Sequence, residues 1–402
     1  MGSNERSRIR VGVIGTGFAA SSHLDALARL RGVEVAGILG SSPERSRAAA
    51  ERLGVGRAYP GLEALLDDDS VDAVHNCTPN HLHAGITERA LATGKHVLSE
   101  KPLALDPEEG ARLVSAADRA NVVTGVCFNY RHFPLVQQAR AMVRGELGPV
   151  HLAHGSYLQD WLLEKDDWNW RLEADKAGAT RASGDIGSHW VDTVEHVMGD
   201  RVEEVMADLG RLHDERLRPA GEVRTFERSP AERIPTRVDT EDFASVLLRF
   251  RGGCRGAFTV SQVSPGRKNR LWFEMDGARA ALAWDQEDPN RLWIGRRDAA
   301  NAQVMRDPSL LVPQAAALAH FPGGHEEGWP DALRNLFEDF YAAVSAHRER
   351  RPDQRTFATF GEAQHVTEVI AAIARSDRDR SWVPVGAAAM SPSEQPPREV
   401  VS

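Results

Sequence analysis

The chain of 402 residues carries 49 Lys and Arg against 58 Asp and Glu, a net charge of −9, and is 42% hydrophobic. That length holds roughly two to three domains with real cores, and the composition excludes global disorder, a fibrous class and a polyanion-binding surface, which needs clustered Lys and Arg. No apolar run approaches the ~18 residues of a membrane span and the N-terminal stretch has no signal-peptide pattern, so neither nucleic acid nor membrane is an expected partner. Cys77, Cys127 and Cys254 lie in apolar or strand-like settings; they form no disulfide framework and read as reduced thiols of a cytoplasmic protein.

From Arg8 to about Val126 short apolar runs alternate with longer amphipathic ones. Strands are predicted at Arg10–Ile14, Val33–Leu39, Ala73–Cys77, His96–Ser99 and Val122–Val126, with helices over His23–Leu30, Pro43–Leu53, His81–Thr93 and Pro107–Ala120. This is the pattern of a doubly wound parallel sheet. After Tyr130 a helix over Pro134–Gly145 precedes strands at Val150–Gln159, Val202–Leu209, Phe243–Phe250, Arg255–Val263, Arg270–Met275 and Arg279–Trp284, several joined by short Gly-bearing turns that indicate antiparallel pairing. The expected architecture is an α/β Rossmann dinucleotide-binding domain over 1–128, an α+β domain with a large, mostly antiparallel open-faced sheet over 129–385, and a disordered tail over 386–402. Apolar residues on both faces of Phe243–Phe250 and Arg255–Val263 call for cover by further copies, so a homodimer or homotetramer is expected.

The first strand runs into Gly15-Thr16-Gly17-Phe18-Ala19-Ala20, a G-x-G-x-x-A turn that opens a helix. Gly15 permits the tight turn, Gly17 lets backbone amides approach a pyrophosphate, Phe18 and Ala19 begin the helix whose N-terminus supplies positive potential, and Ala20 lets helix and strand pack closely. An acidic residue that would read ribose hydroxyls is missing after the second strand, which ends Gly40-Ser41-Ser42-Pro43-Glu44-Arg45. Ser41, Ser42 and Arg45 suit a 2′-phosphate, so NADP is favoured over NAD, the alternative being that the arginines are solvated and either nucleotide serves.

Further along the same sheet edge, Thr78-Pro79-Asn80-His81-Leu82-His83 follows the third strand and Glu100-Lys101-Pro102 follows the fourth, delivering a cation where open α/β folds bind ligands. In Ser183–Gly199, Asp185, His189, Asp192 and His196 fall on one helical stripe. It reads as a site face or as a solvated polar face. No thiolate joins these groups, and no metal site is expected.

These four motifs in this order resemble the Gfo/Idh/MocA oxidoreductases over nearly the whole folded length. The resemblance implies a Rossmann domain followed by an open-faced sheet domain, and NAD(P)-dependent oxidation or reduction at a secondary alcohol or hemiacetal carbon of sugars and cyclitols. Carried over by motif, it makes Lys101 the catalytic lysine, Asp185 the substrate-positioning carboxylate and His189 the general acid/base, which needs a pKa near neutrality. Asp192 is open between a positioning role and substrate contact; His196 reads as structural. The nucleotide is expected to meet Gly15, Gly17, Phe18, Ala19, Ser41, Ser42, Arg45, Thr78, Pro79, Asn80, His83, Glu100 and Lys101.

The segment from Tyr157, Gln159 and Trp161 to Trp168, Trp170 and Arg171 mixes aromatic faces with hydrogen-bonding groups, as sugar sites require, and is similar to a subgroup of levoglucosan dehydrogenase-like sugar oxidoreductases. Substrate contacts are expected from Lys101, Asn129, Tyr157, Gln159, Trp161, Trp170, Asp185 and His189, the tryptophans being equally readable as interdomain packing. The loops Ser264–Asn269 and Pro322–His325 are candidates for the same pocket, with His325 alternatively a loop anchor. Few of these residues are charged, which favours a neutral monosaccharide, anhydrosugar, glycoside or inositol. A keto-sugar reductase or a hydride shuttle with retained nucleotide would use the same groups, while a non-catalytic nucleotide-binding regulator need not keep Lys101 and His189.

Overall fold

Five strands form one parallel sheet: β1 (Ile9–Ile14), β2 (Val33–Leu39), β3 (Ala73–Asn76), β4 (His96–Ser99) and β5 (Thr124–Val126), in the order β2-β1-β3-β4-β5. The structure, a computed structural model, describes residues 8–221 and 232–386, so the expected tail lies, from 387 on, outside the described residues. Crossovers run through α1 (Phe18–Ala28), α2 (Pro43–Leu53), α3 (Leu62–Leu66), α4 (His83–Ala92) and α5 (Pro107–Ala120). Because β1 is flanked by β2 on one side and β3 on the other, the connections diverge at the β1 carboxyl end and open a crevice there. Proline at N1 and an Ser42 or Asp106 cap start α2 and α5, and Gly54 ends α2 in the left-handed region at φ 69°.

The second sheet is built after α6 (Pro134–Gly145) from β6 (Val150–Leu158), then, beyond α7 (Ala174–Ala177) and α8 (Ser188–Met198), from β7 (Val202–Gly210) onward. A separate hairpin, β8 (Glu215–Pro219) and β9 (Arg233–Arg237), precedes β10 (Phe243–Phe250), β11 (Arg255–Ser261), β12 (Arg270–Gly277), β13 (Ala281–Asp285), β14 (Arg291–Gly295) and β15 (Ala302–Met305). The chain closes with α9 (Pro313–Ala316), α10 (Trp329–Arg348), α11 (Phe360–Asp379) and β16 (Val383–Pro384). The nine-stranded order is β15-β14-β13-β12-β6-β11-β10-β7-β16, antiparallel throughout except for the β6–β11 pair. The expected α/β plus open-faced sheet architecture is therefore present.

Along β10 buried and exposed residues alternate, so one face packs on helices and the other is open, carrying Phe243 and Leu247 with Leu152 and Met206 of neighbouring strands. The covered face receives α8, which is buried nearly all round: Trp190 stacks on Phe258 at 4.5 Å and gives its indole N–H to the Trp272 carbonyl at 3.0 Å. The polar stripe of α8 is thus an interior face. The alternative of a solvated stripe is corrected, since His189, Asp192 and His196 are all buried.

The helices α10 and α11 and the strands β14 and β15 have no counterpart among the predicted elements. Helix α10 returns to the first sheet and buries Leu333, Leu336, Phe337 and Phe340 against a core that includes Val11, Val13 and Leu98. At about 1.5–3 kcal/mol for each large side chain removed from water, this packing is a main term in holding the parallel sheet.

Candidate active site

At the β1 carboxyl end the turn geometry selects glycine. Gly15 has φ 120°, and a Cβ there would lie 2.4 Å from the Cys77 carbonyl oxygen. Above Gly17, in contrast, a Cβ would meet nothing within 4 Å, and α1 begins at Gly17 with no side-chain cap and no acid in its first turn. The open space above Gly17 and the lack of a side-chain cap or an acid at the start of α1, with Phe18 exposed and Ala19 half-buried beside it, fit a dinucleotide pyrophosphate. At the end of β2, Ser42 accepts the Arg45 backbone N–H at 3.2 Å and Ser41 Oγ accepts from the Arg45 guanidinium at 3.3 Å, a cationic hydroxyl-rich corner.

The loop after β3 is held from below. Asn76 Oδ1 accepts the Thr78 hydroxyl at 2.7 Å, and Asn80 gives its amide N–H to the Ala177 carbonyl at 3.2 Å, leaving Thr78, Pro79 and Asn80 half-buried at the crevice. His83, expected to meet the nucleotide, is instead only 1% exposed, with its ring nitrogens 2.7 Å from the Pro102 carbonyl and 2.8 Å from the Thr78 carbonyl. It ties the two edge loops together and has no ring nitrogen left for a ligand. Glu100 is likewise turned inward, accepting from His23 at 3.0 Å and from the Lys101 backbone N–H at 3.1 Å. The Lys101–Pro102 peptide is cis.

Lys101 reaches across to the segment before α8. Its ammonium donates to Asp185 Oδ1 at 2.5 Å and to the Asp185 carbonyl at 3.0 Å. Arg171 donates to the same Oδ1 at 3.2 Å and Gln262 to Oδ2 at 2.9 Å. A π-helical turn over Ser183–Gly187 carries Asp185, and α8 continues from it to His189. Despite burial, the cations of Arg171 and Lys101 hold the Asp185 carboxyl well below the usual carboxylate range. His189 sits edge-on to Phe128 and Tyr130, at 5.4 and 5.0 Å between ring centres, and its Nδ1 is buried without a partner. Burial in that aromatic cage, aided by the Lys101 charge, pushes its pKa down to about 3, so the ring is neutral at physiological pH instead of titrating near neutrality.

Beside His189 lies a polar cluster. Tyr157 donates to Asn269 Oδ1 at 2.6 Å, Gln159 donates to the same oxygen at 2.8 Å, Trp161 donates to Gln159 at 2.8 Å, and the Tyr130 and Tyr157 hydroxyls meet at 2.6 Å. Trp170 lies under the Arg171 guanidinium at 4.6 Å, while Trp161 and Trp168 pack on Leu162, Leu172 and Val238. Asn129 is buried at the end of β5 with its amide nitrogen unpartnered. Asp192 is buried, and Arg131 grips both its oxygens at 2.5 and 2.8 Å. His196 meets Gln137 and Arg140 in the interior. The His325 side chain is exposed, and its backbone carbonyl accepts from Arg306.

Gln262 has no sequence signal. It follows β11 in no motif, yet it is fully buried and joins Asp185 to Arg181, whose guanidinium pairs in turn with Asp242.

Residues 9–128 match the family model described as oxidoreductase family, NAD-binding Rossmann fold, and residues 136–283 match the GFO/IDH/MocA C-terminal domain. The chain belongs to the Gfo/Idh/MocA oxidoreductase family. This Gfo/Idh/MocA member is similar to levoglucosan dehydrogenase of Pseudarthrobacter phenanthrenivorans, 29% identical over 94% of this chain and 98% of the relative. Among solved structures it resembles an oxidoreductase domain protein from Kribbella flavida, with a TM-score of 0.83 and 31% identity over 95% of this chain and 100% of that one. A levoglucosan dehydrogenase in complex with NADH and L-sorbose superposes with a TM-score of 0.84 at 27% identity, over 95% and 100% of the two chains. The protein is thus an NAD(P)-dependent oxidoreductase, and no helix among its described residues is long and apolar enough to cross a membrane.

Proposed function

We propose that this oxidoreductase transfers hydride between a ring secondary alcohol of a neutral sugar, anhydrosugar, glycoside or inositol and the nicotinamide, with Lys101, Asp185 and His189 as the catalytic groups. The observation that carries the reading is the Lys101–Asp185 contact of 2.5 Å at the carboxyl edge of the parallel sheet, one helical turn from a neutral, buried imidazole. Kinship with a levoglucosan dehydrogenase over nearly the full chain supports a pyranose-like substrate.

Oxidation of a carbinol requires its hydroxyl proton to leave as hydride departs from carbon. The nicotinamide, when bound, accepts the hydride. Neutral His189 offers a lone pair for the proton, the Lys101 ammonium donates to the oxygen as negative charge develops on it, and ionised Asp185 accepts from a neighbouring hydroxyl and so fixes which carbon is presented. Tyr157, Gln159, Trp161, Trp170 and Asn129 supply hydrogen bonds and aromatic faces to the ring. Gly15, Gly17, Phe18, Ala19, Thr78, Pro79 and Asn80 line the nucleotide cleft, with Glu100 acting from beneath it. The corner formed by Ser41, Ser42 and Arg45, with no carboxylate at the end of β2, supports NADP over NAD.

The test is reduced-nicotinamide absorbance with NAD+ and NADP+ supplied separately against a panel of sugars, anhydrosugars, glycosides and inositols. Turnover of a few stereochemically related members is expected, falling at least about a hundredfold in Lys101→Ala and His189→Ala. Full turnover in either variant would overturn the assignment.

A further inference from the structure

Beneath the Lys101 turn lies a line of buried polar side chains that the proposed chemistry does not use. The Tyr341 hydroxyl of α10 is 2.6 Å from His75 Nε2 on β3, His75 Nδ1 is 2.9 Å from His23 Nδ1 on α1, and His23 Nε2 is 3.0 Å from Glu100 Oε1. The other Glu100 oxygen accepts the backbone N–H of Lys101 at 3.1 Å. His75 is fully buried, His23 is 1% and Tyr341 4% exposed, and Phe337 packs edge-on against both imidazoles at 4.7 and 4.8 Å.

At pH 8, with Glu100 a carboxylate and one hydrogen on each imidazole, one proton arrangement satisfies the three contacts from Tyr341 to Glu100. A carboxylate only accepts, so His23 Nε2 carries a hydrogen and His23 Nδ1 presents a lone pair. Two lone pairs facing each other at 2.9 Å would repel, so His75 carries its hydrogen on Nδ1 and accepts at Nε2 from Tyr341; the Cys77 thiol, 3.2 Å from the same His23 nitrogen, is a second donor to it. We propose that Tyr341, His75 and His23 form a one-directional hydrogen-bond relay that orients the Glu100 carboxylate and through it the Lys101 peptide, making these four side chains positioning residues for the chemistry at Lys101. The proposal rests on the catalytic reading of Lys101 given above.

The electrostatics agree with the geometry. Burial alone would raise the Glu100 pKa, but the hydrogen bond from His23 and the charge of Lys101 hold it below the usual carboxylate range, while burial holds His75 far below its ordinary range. The other groups facing Glu100 are the Cys127 thiol, which burial keeps protonated, and, at longer range, His189, His83 and Cys77.

The experiment uses the full-length chain with 15N-labelled histidine at pH 8. His75 is expected as the Nδ1–H tautomer and His23 as the Nε2–H tautomer, the former being the minor form in water; Tyr341→Phe is expected to leave both tautomers in place, because they are set from the Glu100 end. In parallel, kinetics on the best sugar of the panel compare His23→Gln, which keeps an N–H donor toward Glu100, with His23→Leu, which does not. His23→Leu is expected to lose about ten- to a hundredfold in kcat with KM within about twofold, and to shift the acid limb of activity to higher pH, while His23→Gln stays within about threefold. If His23→Leu fails to fold, Tyr341→Phe carries the kinetic test with an expected loss of about three- to tenfold in kcat. Both histidines in the Nε2–H form, or unchanged kcat and acid limb in folded His23→Leu or Tyr341→Phe, would overturn the relay. Full turnover by Lys101→Ala would remove the catalytic reading instead, a failure that the tautomer pattern keeps separate.

Discussion

Gln262 gives its amide N–H to Asp185 Oδ2 at 2.9 Å while its carbonyl accepts from Arg181 at 3.2 Å. The amide therefore fixes the one Asp185 oxygen that Lys101 and Arg171 leave alone. In Gln262→Leu that oxygen loses its donor in a buried site, a deficit of about 1.5–3 kcal/mol for a hydrogen bond to a charged group. A ten- to hundredfold fall in kcat/KM is expected on that scale, with KM for the sugar rising if Asp185 anchors a hydroxyl. Steady-state kinetics of the variant check this, and an unchanged kcat/KM would mean that Asp185 needs no such support.

The interior histidines make stability depend on acid. Burial lowers the pKa of His189 to about 3 and, together with the nearby His347 and Arg348 charges, that of His96 to about 4. Both values lie below the unfolded value near 6.5, so the unfolded chain binds more protons as pH falls; the stability these rings contribute is complete above pH 6.5 and drains away toward their folded values. Between pH 7 and pH 5 each costs about 2 kcal/mol. Thermal melts should show Tm dropping over that window, less so in His189→Phe, where the aromatic cage is filled by a ring that does not titrate. Equal acid sensitivity in the variant would show that the native ring titrates normally.

The proposed preference for NADP places nucleotide choice at the end of β2. Ser41→Asp would set a carboxylate beside Arg45, where it repels a 2′-phosphate and can accept from ribose hydroxyls. The ratio of kcat/KM for NADP+ to that for NAD+ should fall at least about tenfold. No change would place the discriminating contact elsewhere.

Most of the parallel sheet was legible because each strand is an apolar run closed by a turn residue, and the Lys101, Asp185 and His189 constellation because Glu100-Lys101-Pro102 and the α8 stripe are local motifs. Long-range relationships were not. Gln262 reaches Asp185 across 77 residues of sequence and the Arg131–Asp192 pair spans 61, and neither partner stands in a patterned segment that announces the other. His83 misled for a related reason: a histidine beside a ligand-binding loop looks the same in sequence whether its ring faces the ligand or, as here, two backbone carbonyls.

The open face of the second sheet makes a prediction about assembly. Leu247 is 50% exposed on β10, with Phe243 and Met206 also exposed on the same sheet. If copies of the chain cover this face, Leu247→Asp buries a charge at the contact and light scattering should report a smaller species with the fold intact. A mass unchanged from that of the parent would exclude this face.

Helix α10 also bears on how the chain is made. Leu333, Leu336, Phe337 and Phe340 complete the core around β1 and β4, yet roughly two hundred residues separate them from β5. The nucleotide-binding sheet therefore emerges from the ribosome long before its last structural layer exists, and its apolar flank waits uncovered while β6 to β15 are synthesised. A fragment ending after β5 would keep the glycine turn and every strand of that sheet and still be expected to aggregate, whereas supplying the 329–360 segment as a separate peptide should restore its solubility.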